Sequence, residues 1–148
     1  MSRRVVVLGG DGIGPEVTGA AVEVLRALDA QQSLGLSFEA HAFGGAAIDA
    51  HGDPFPAEVL AACRKTDAIL LGAVGGPQWA KVPTEIRPEV GLLRLRSELG
   101  LYANIRPLTV HPALVDASPL KRERIDGVDL VVVRELTGGI YFGQRTRS

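Results

Sequence analysis

An alternation of strand and helix patterns near the N-terminus limits the fold most. Residues 5–8 form a short, continuously apolar run rich in β-branched side chains, as a strand buried on both faces requires. The glycine-rich loop GGDGIGPE follows, and then Val17, Ala20, Ala21, Val24, Leu25 and Leu28 recur at helical spacing as one apolar stripe. Pro15 suits the first helical position and Glu16 the positive end of the helix dipole, so the helix is expected to start there. Strand, tight loop and crossover helix in that order imply a parallel sheet with helices packed on it.

The pattern continues along the chain. Leu36, Phe38, Ala40 and Ala42 read as a half-exposed strand ended by Gly44 and Gly45. Residues 56–65 carry Val59, Leu60 and Cys63 on one side of a short helix, and residues 68–71 read as a buried strand. The Gly- and Pro-rich stretch 72–88 has no regular pattern, which marks it as a candidate ligand loop. Leu92, Leu93, Leu95, Arg96 and Leu99 lie on a helical segment closed by Gly100. Residues 102–106 read as a strand stopped by Pro107, and 111–124 as a connection with one short helix and a solvated basic run. Residues 128–133 are the strongest late strand, and Gly138-Gly139 suggests a tight turn into a strand over 140–142. The expected class is α/β, an open sheet with helices on both faces.

Composition excludes several functions. With 16 Lys+Arg against 17 Asp+Glu over 148 residues, the net charge of −1 offers no electrostatic reason for a nucleic-acid partner. The longest apolar stretch, 68–74, falls far short of the roughly 20 residues that cross a bilayer. Arg3 and Arg4 precede only four apolar residues, too few for a secretory signal, so a cytoplasmic location is expected. Cys63 is the only cysteine and reads as a small core residue.

Chemistry is carried by few side chains. Gly10-x-Gly12 meets Pro15 where a dinucleotide fingerprint needs its third glycine, so this is not a GxGxxG Rossmann domain, and no Walker A loop is present. The GDGIGPE loop and Gly75-Gly76-Pro77 nevertheless follow strands, at the end of an open α/β sheet where ligands bind. Arg96 sits among leucines, Arg106 ends a short strand, and Arg134 ends the apolar run 128–133; each would be costly to bury without an anionic partner. One alone is explained by an ordinary salt bridge, with Glu98 and Glu135 at hand. Three together suit a small di- or tricarboxylate held by separate guanidinium forks, with Tyr141 as proton donor or hydrogen-bond anchor. His41, His51 and His111 have no metal-ligand spacing, and no GxSxG nucleophile motif occurs.

Taken together, GDGIGPEV after Gly10, FGGAAID, LLGAVGGP, RPEVGLLRLR, ANIRP and RELTGGIYFG span nearly the whole chain. In these motifs the sequence resembles the NAD-dependent β-decarboxylating dehydrogenases of the isocitrate/isopropylmalate dehydrogenase family, and within it the branch acting on 3-isopropylmalate. The resemblance implies NAD-dependent oxidative decarboxylation of 3-isopropylmalate to 4-methyl-2-oxopentanoate, a step of leucine biosynthesis. It assigns Arg96, Arg106 and Arg134 to the substrate carboxylates and Tyr141 to catalysis. Leu92 and Leu93 would meet the substrate's alkyl group, and Ile13, Gly76, Pro77 and Glu89 would lie at the cofactor. Methylene-scale contacts discriminate by only about 1 to 3 kcal/mol, so isocitrate, homoisocitrate and tartrate remain alternatives, as does a noncatalytic carboxylate-binding module. One departure from the family pattern is Gly9, where proline is usual.

The resemblance also implies missing parts. Relatives of this kind are much longer, and their metal-holding acidic residues, catalytic lysine and adenosine-binding loop lie beyond residue 148. The expected cofactors are therefore NAD and Mg2+ or Mn2+, with no metal ligand in this chain. Residues 1–101 are expected to begin a discontinuous first domain with the cofactor loops. Residues 102–148 are expected to begin a second domain, with Arg106, Arg134 and Tyr141. A homodimer with shared active sites is implied, and the chain alone is expected to be inactive.

Overall fold

The computed structural model describes residues 2–136 and 138. The chain divides between Leu99 and Gly100 into two compact units.

The first unit is an α/β layer. Three parallel strands, β1 (Arg3–Gly10), β2 (Leu36–His41) and β3 (Ala68–Ala73), run in the order β2-β1-β3. Val5 pairs with Phe38 on one side of β1 and with Ala68 on the other. Helix α1 (Gly14–Gln32) links β1 to β2, and α2 (Gly45–His51) and α3 (Ala57–Cys63) lie between β2 and β3. Short 3-10 turns at Pro77–Trp79 and Thr84–Ile86 lead to α4 (Pro88–Glu98). Among the described residues only β1 is flanked by strands on both sides, and its residues 5–8 are all buried. The expected buried strand at β3 is instead half-exposed, because among the described residues β3 is an edge.

Alternation along β1 divides its side chains between two faces. Val6 and Leu8 enter a core with Phe43, Phe55, Val59, Cys63 and Leu95, so α3 and α4 cover that face. The Phe43 and Phe55 rings meet edge to face with centroids 5.4 Å apart. Burial, and then the charge of Glu39, push the Cys63 thiol up, in keeping with an inert core position.

Helix α1 packs against β1 and β3 on the opposite face, but not through the stripe read from the sequence. Its buried residues are Gly14, Thr18 and Val22, whereas Val17, Val24 and Leu28 are exposed. Small residues win this face because the backbones approach closely. A Cβ at Gly72 would lie 2.2 Å from the Gly9 carbonyl oxygen and 3.0 Å from Thr18 Cγ2. Pro15 does stand in the first helical turn, as expected.

Helix α2 has no counterpart in the sequence pattern; the glycines that end β2 lead directly into it. Trp79, from the loop after β3, is buried over its first residue. A Cβ on Gly45 would come within 2.3 Å of three indole ring atoms.

The second unit is an antiparallel ribbon of β4 (Ala103–Thr109) and β5 (Asp129–Glu135), joined through a 3-10 segment (Pro112–Ala117) and the short helix α5 (Arg122–Ile125). Contrary to expectation, β4 runs through Pro107, which pairs with Val131. Proline is tolerated because among the described residues β4 has only one neighbouring strand, so the N–H that proline lacks is not needed on its open side. The expected strand over 140–142 and its turn lie outside the described residues, although Gly138 N–H donates to Glu135 Oε2 at 3.1 Å.

Overpacking at the Trp79 contact is directly testable. Gly45→Ala is expected to destabilise the fold by about 1 to 3 kcal/mol, read as a lower thermal midpoint, while Gly19→Ala, with open space around it, leaves the midpoint unchanged or raises it.

Candidate active site

The loops at the carboxyl ends of β1, β2 and β3 converge on one buried carboxylate. Asp11 is 3% exposed. Its Oδ2 accepts the N–H groups of Gly45 at 2.8 Å and Gly75 at 2.7 Å, and its Oδ1 accepts that of Ala46 at 2.8 Å. Its own N–H donates to the Ala73 carbonyl, and its carbonyl accepts from Gly14. Charge-assisted bonds of this kind contribute about 1.5 to 3 kcal/mol each, enough to make this buried anion tolerable without a cation.

Glycine is required around this point. Gly44 has φ +72°, and a Cβ there would lie 2.6 Å from Asp11 Oδ2. Gly75 has φ +95°, and a Cβ there would lie 2.7 Å from Glu89 Oε1. The Glu89 carboxylate on α4 therefore comes close to the loop held by Asp11. Gly76, Trp79, Ala80, Arg87, Pro88 and Glu89 line a cleft of about 310 Å³. Trp79 Nε1 donates to Asp49 Oδ1 at 3.0 Å and thereby ties this loop to α2. Gly76 and Pro77 are exposed, as is Ile13 on the first loop.

Helix α4 carries four of the expected residues on one stripe. Glu89, Leu92, Leu93 and Arg96 follow the i, i+3, i+4, i+7 spacing, which spans about 100° of a helix surface. Leu95, Gly91 and Pro88 are the buried face, and Leu92 lies at its border, packed against the core. Leu93 and Arg96 are half-buried. Glu98, offered as a partner for Arg96, pairs instead with Arg64 at 2.8 Å. The neighbouring Arg94 serves the fold: its guanidinium pairs with Asp53 at 2.5 Å, donates to the Phe55 carbonyl at 3.1 Å and stands over the Phe55 ring.

On the second unit, Arg106 and Arg134 come together. Asn104 is opposite Arg134 in the ribbon register, and Arg106 follows Asn104 by two residues, so all three share one face. Arg106 Nε donates to Asn104 Oδ1 at 3.0 Å, which orients its guanidinium. Burial cost singles these arginines out in the sequence, and that reason fails: Arg106 is exposed and Arg134 half-buried. The valines beside them are themselves exposed, so an apolar run on this ribbon does not imply a buried cation. Tyr141 lies outside the described residues. No group of three or more His, Cys, Asp or Glu suited to a metal ion occurs among the described residues.

Sequence reasoning passes over Asp11 and Trp79. The available signal for Asp11 is an acidic residue enclosed by glycines in one loop, with further glycine pairs at the ends of two later strands.

Residues 4–148 match the profile of the family described as isocitrate/isopropylmalate dehydrogenase. The chain belongs to this family. Among curated relatives, the 3-isopropylmalate dehydrogenase of Acinetobacter baylyi is 56% identical over 97% of the chain and 40% of that protein. That of Bacillus subtilis is 55% identical over 99% of the chain and 40% of its own length. The chain thus spans about 40% of the length of these relatives. A β-decarboxylating dehydrogenase from Thermococcus kodakarensis superposes with a TM-score of 0.64 and 35% identity over 90% of this chain and 33% of that one. An isocitrate dehydrogenase from Methylococcus capsulatus superposes with a TM-score of 0.65 and 29% identity, over 94% and 36% respectively. The α/β unit with its partial parallel sheet is therefore the isocitrate/isopropylmalate dehydrogenase fold in part. No helix among the described residues is long and apolar enough to cross a membrane.

The Arg94–Asp53 pair gives the fold a pH-dependent contribution. Burial opposes charge on Asp53, yet the Phe55 N–H and the Arg94 guanidinium outweigh it and hold the carboxyl below its usual range. The pair therefore stabilises the fold above the unfolded carboxyl value near 4 and loses its contribution as pH falls through the lowered native value. Both side chains are about two-fifths exposed, so screening keeps the contribution to about 1 kcal/mol or less. Arg94→Met is expected to lower the thermal midpoint slightly near neutral pH, and the difference from wild type should shrink near pH 3.

Proposed function

We propose that the whole-length protein oxidatively decarboxylates 3-isopropylmalate to 4-methyl-2-oxopentanoate with NAD, as a step of leucine biosynthesis. The observation that carries this reading is the stripe on α4, where Leu92 and Leu93 set an apolar patch between the Glu89 carboxylate and the Arg96 guanidinium. A 2-hydroxy diacid with an isopropyl substituent needs that combination, a cation for a carboxylate beside a patch for the branched alkyl group. The names of the curated relatives support the same substrate.

In this reading Arg96, Arg106 and Arg134 hold the two carboxylates. The pairing of Arg106 with Asn104 supports the role, because an oriented guanidinium loses less freedom when it captures its partner. Ile13, Gly76, Pro77 and Glu89 receive the cofactor. The exposed glycine backbone at Gly76, with the cleft beside it, fits a flat ring that needs close approach. NAD, when bound, accepts the hydride released from the carbon bearing the hydroxyl.

The hydroxyl proton leaves to a base, and the resulting 2-oxo diacid loses its β-carboxylate as carbon dioxide. The electron pair of the broken bond forms an enolate, which Tyr141 protonates on the way to the 2-oxo acid. Leaving the arginines bound to the remaining carboxylate keeps the enolate in place. A divalent metal, Mg2+ or Mn2+, would take its ligands from outside this chain and polarise the hydroxyl and carbonyl oxygens. The reading includes residues 1–101 and 102–148 as the starts of two domains, a homodimer with shared sites and a cytoplasmic location.

An absorbance assay for NADH with the whole-length protein and 3-isopropylmalate, isocitrate, homoisocitrate or tartrate tests the reading. Turnover highest on 3-isopropylmalate is expected, and the 148-residue chain alone is expected to be inactive. Preference for another diacid would assign a related dehydrogenase, and binding without turnover a noncatalytic module. Arg106→Ala should raise the KM for the diacid about tenfold or more with a smaller effect on kcat, whereas Tyr141→Phe should lower kcat about tenfold or more with KM little changed.

A further inference from the structure

Asp11 belongs to no group that touches substrate or cofactor in the scheme above, yet it fixes the backbone next to the residues that do. Three N–H groups from two other loops end on its carboxylate, and one of them belongs to Gly75, the residue before Gly76. The remaining two belong to the first residues of α2, the helix that also receives the Trp79 indole through Asp49. The loop after β3 is therefore anchored on both sides of Gly76 and Pro77, at Gly75 to Asp11 and at Trp79 to α2 through Asp49. Gly75 faces Glu89 as well, so a displacement of Gly75 changes its spacing from the start of α4.

We infer that Asp11 is a positioning residue, a buried latch that sets the Gly75–Gly76–Pro77 loop in the conformation that receives the cofactor. This rests on the assignment of that loop to NAD. A carboxylate is needed because both oxygens accept N–H groups, Oδ2 two of them and Oδ1 one. An asparagine has one acceptor oxygen, and its amide N–H2 would face at least one donor whichever way it is turned. Asp11→Asn therefore loses at least one of the three bonds while keeping the volume of the side chain. The consequence should fall on the cofactor rather than on the diacid, since the three bonds fix Gly75, the residue before Gly76, and none of them is made by a residue proposed to hold the diacid.

Steady-state kinetics of Asp11→Asn in the whole-length protein test the inference. The expected result is a KM for NAD raised about tenfold, with kcat and the diacid KM within about twofold of wild type. An NAD KM within about twofold of wild type would overturn it, and so would a fall of all activity in proportion to the folded fraction. Hydrogen–deuterium exchange of residues 72–80 gives a second reading that does not require turnover. Faster exchange of this segment in Asp11→Asn than in wild type supports the latch, and equal exchange refutes it. Where Asp11→Asn fails to fold, wild type alone decides: slow exchange of 72–80 that NAD slows further supports the inference, and fast exchange unaffected by NAD refutes it. Absence of wild-type turnover with every diacid would count against the proposed function, while the exchange comparison would still judge the latch.

Discussion

A single carboxylate buried among backbone N–H groups holds together the end of the first unit where the strands reach their carboxyl ends. Asp11 replaces the water it loses on burial with donors from Gly45, Ala46 and Gly75. Those donors come from loops more than thirty and sixty residues away in sequence, so the bonds are long-range constraints rather than local turn chemistry. Once they are made, the start of α2, the end of β3 and the beginning of α1 have fixed positions relative to one another. Glycines at 44 and 75 follow as a requirement, because the backbone must turn with positive φ against a carboxylate and leave no room for a side chain.

From that fixed point the candidate residues extend along α4. Gly75 meets Glu89, and the same helix stripe continues through Leu92 and Leu93 to Arg96. The helix is held to the sheet by Leu95, Gly91 and Pro88, and at its side by the Arg94–Asp53 pair. Two arginines two positions apart thus do different work. Arg94 is consumed by a structural carboxylate and an aromatic face, and Arg96 lies on the stripe with the leucines.

The α/β order is legible because it depends on local signals: a β-branched run, a glycine loop and a proline at a helix start. The buried face of α1 is not, since Gly14 and Thr18 pack there for their small size and an apolar count overlooks them. Helix α2 escapes the pattern because the group that satisfies its first N–H groups is Asp11, which no local signal reveals. Pro107 reads as a stop because the sequence alone does not show which strand has an open edge. Of the candidate residues, Glu89, Leu92 and Leu93 are named through motif resemblance alone, whereas Arg96, Arg106 and Arg134 are named first on burial cost. The burial argument fails for Arg106 and Arg134 because the valines beside them are exposed.

The proposed function gives the residues from Gly76 to Arg96, and Arg106 and Arg134, to a diacid and a nicotinamide. A crystal structure of the whole-length protein with NAD and 3-isopropylmalate tests it most directly. The expected result is substrate carboxylates within hydrogen-bond reach of Arg96, Arg106 and Arg134, the isopropyl group against Leu92 and Leu93, and the nicotinamide beside Gly76 and Glu89. Substrate bound away from these arginines, or a cofactor that does not touch the loop after β3, would contradict it.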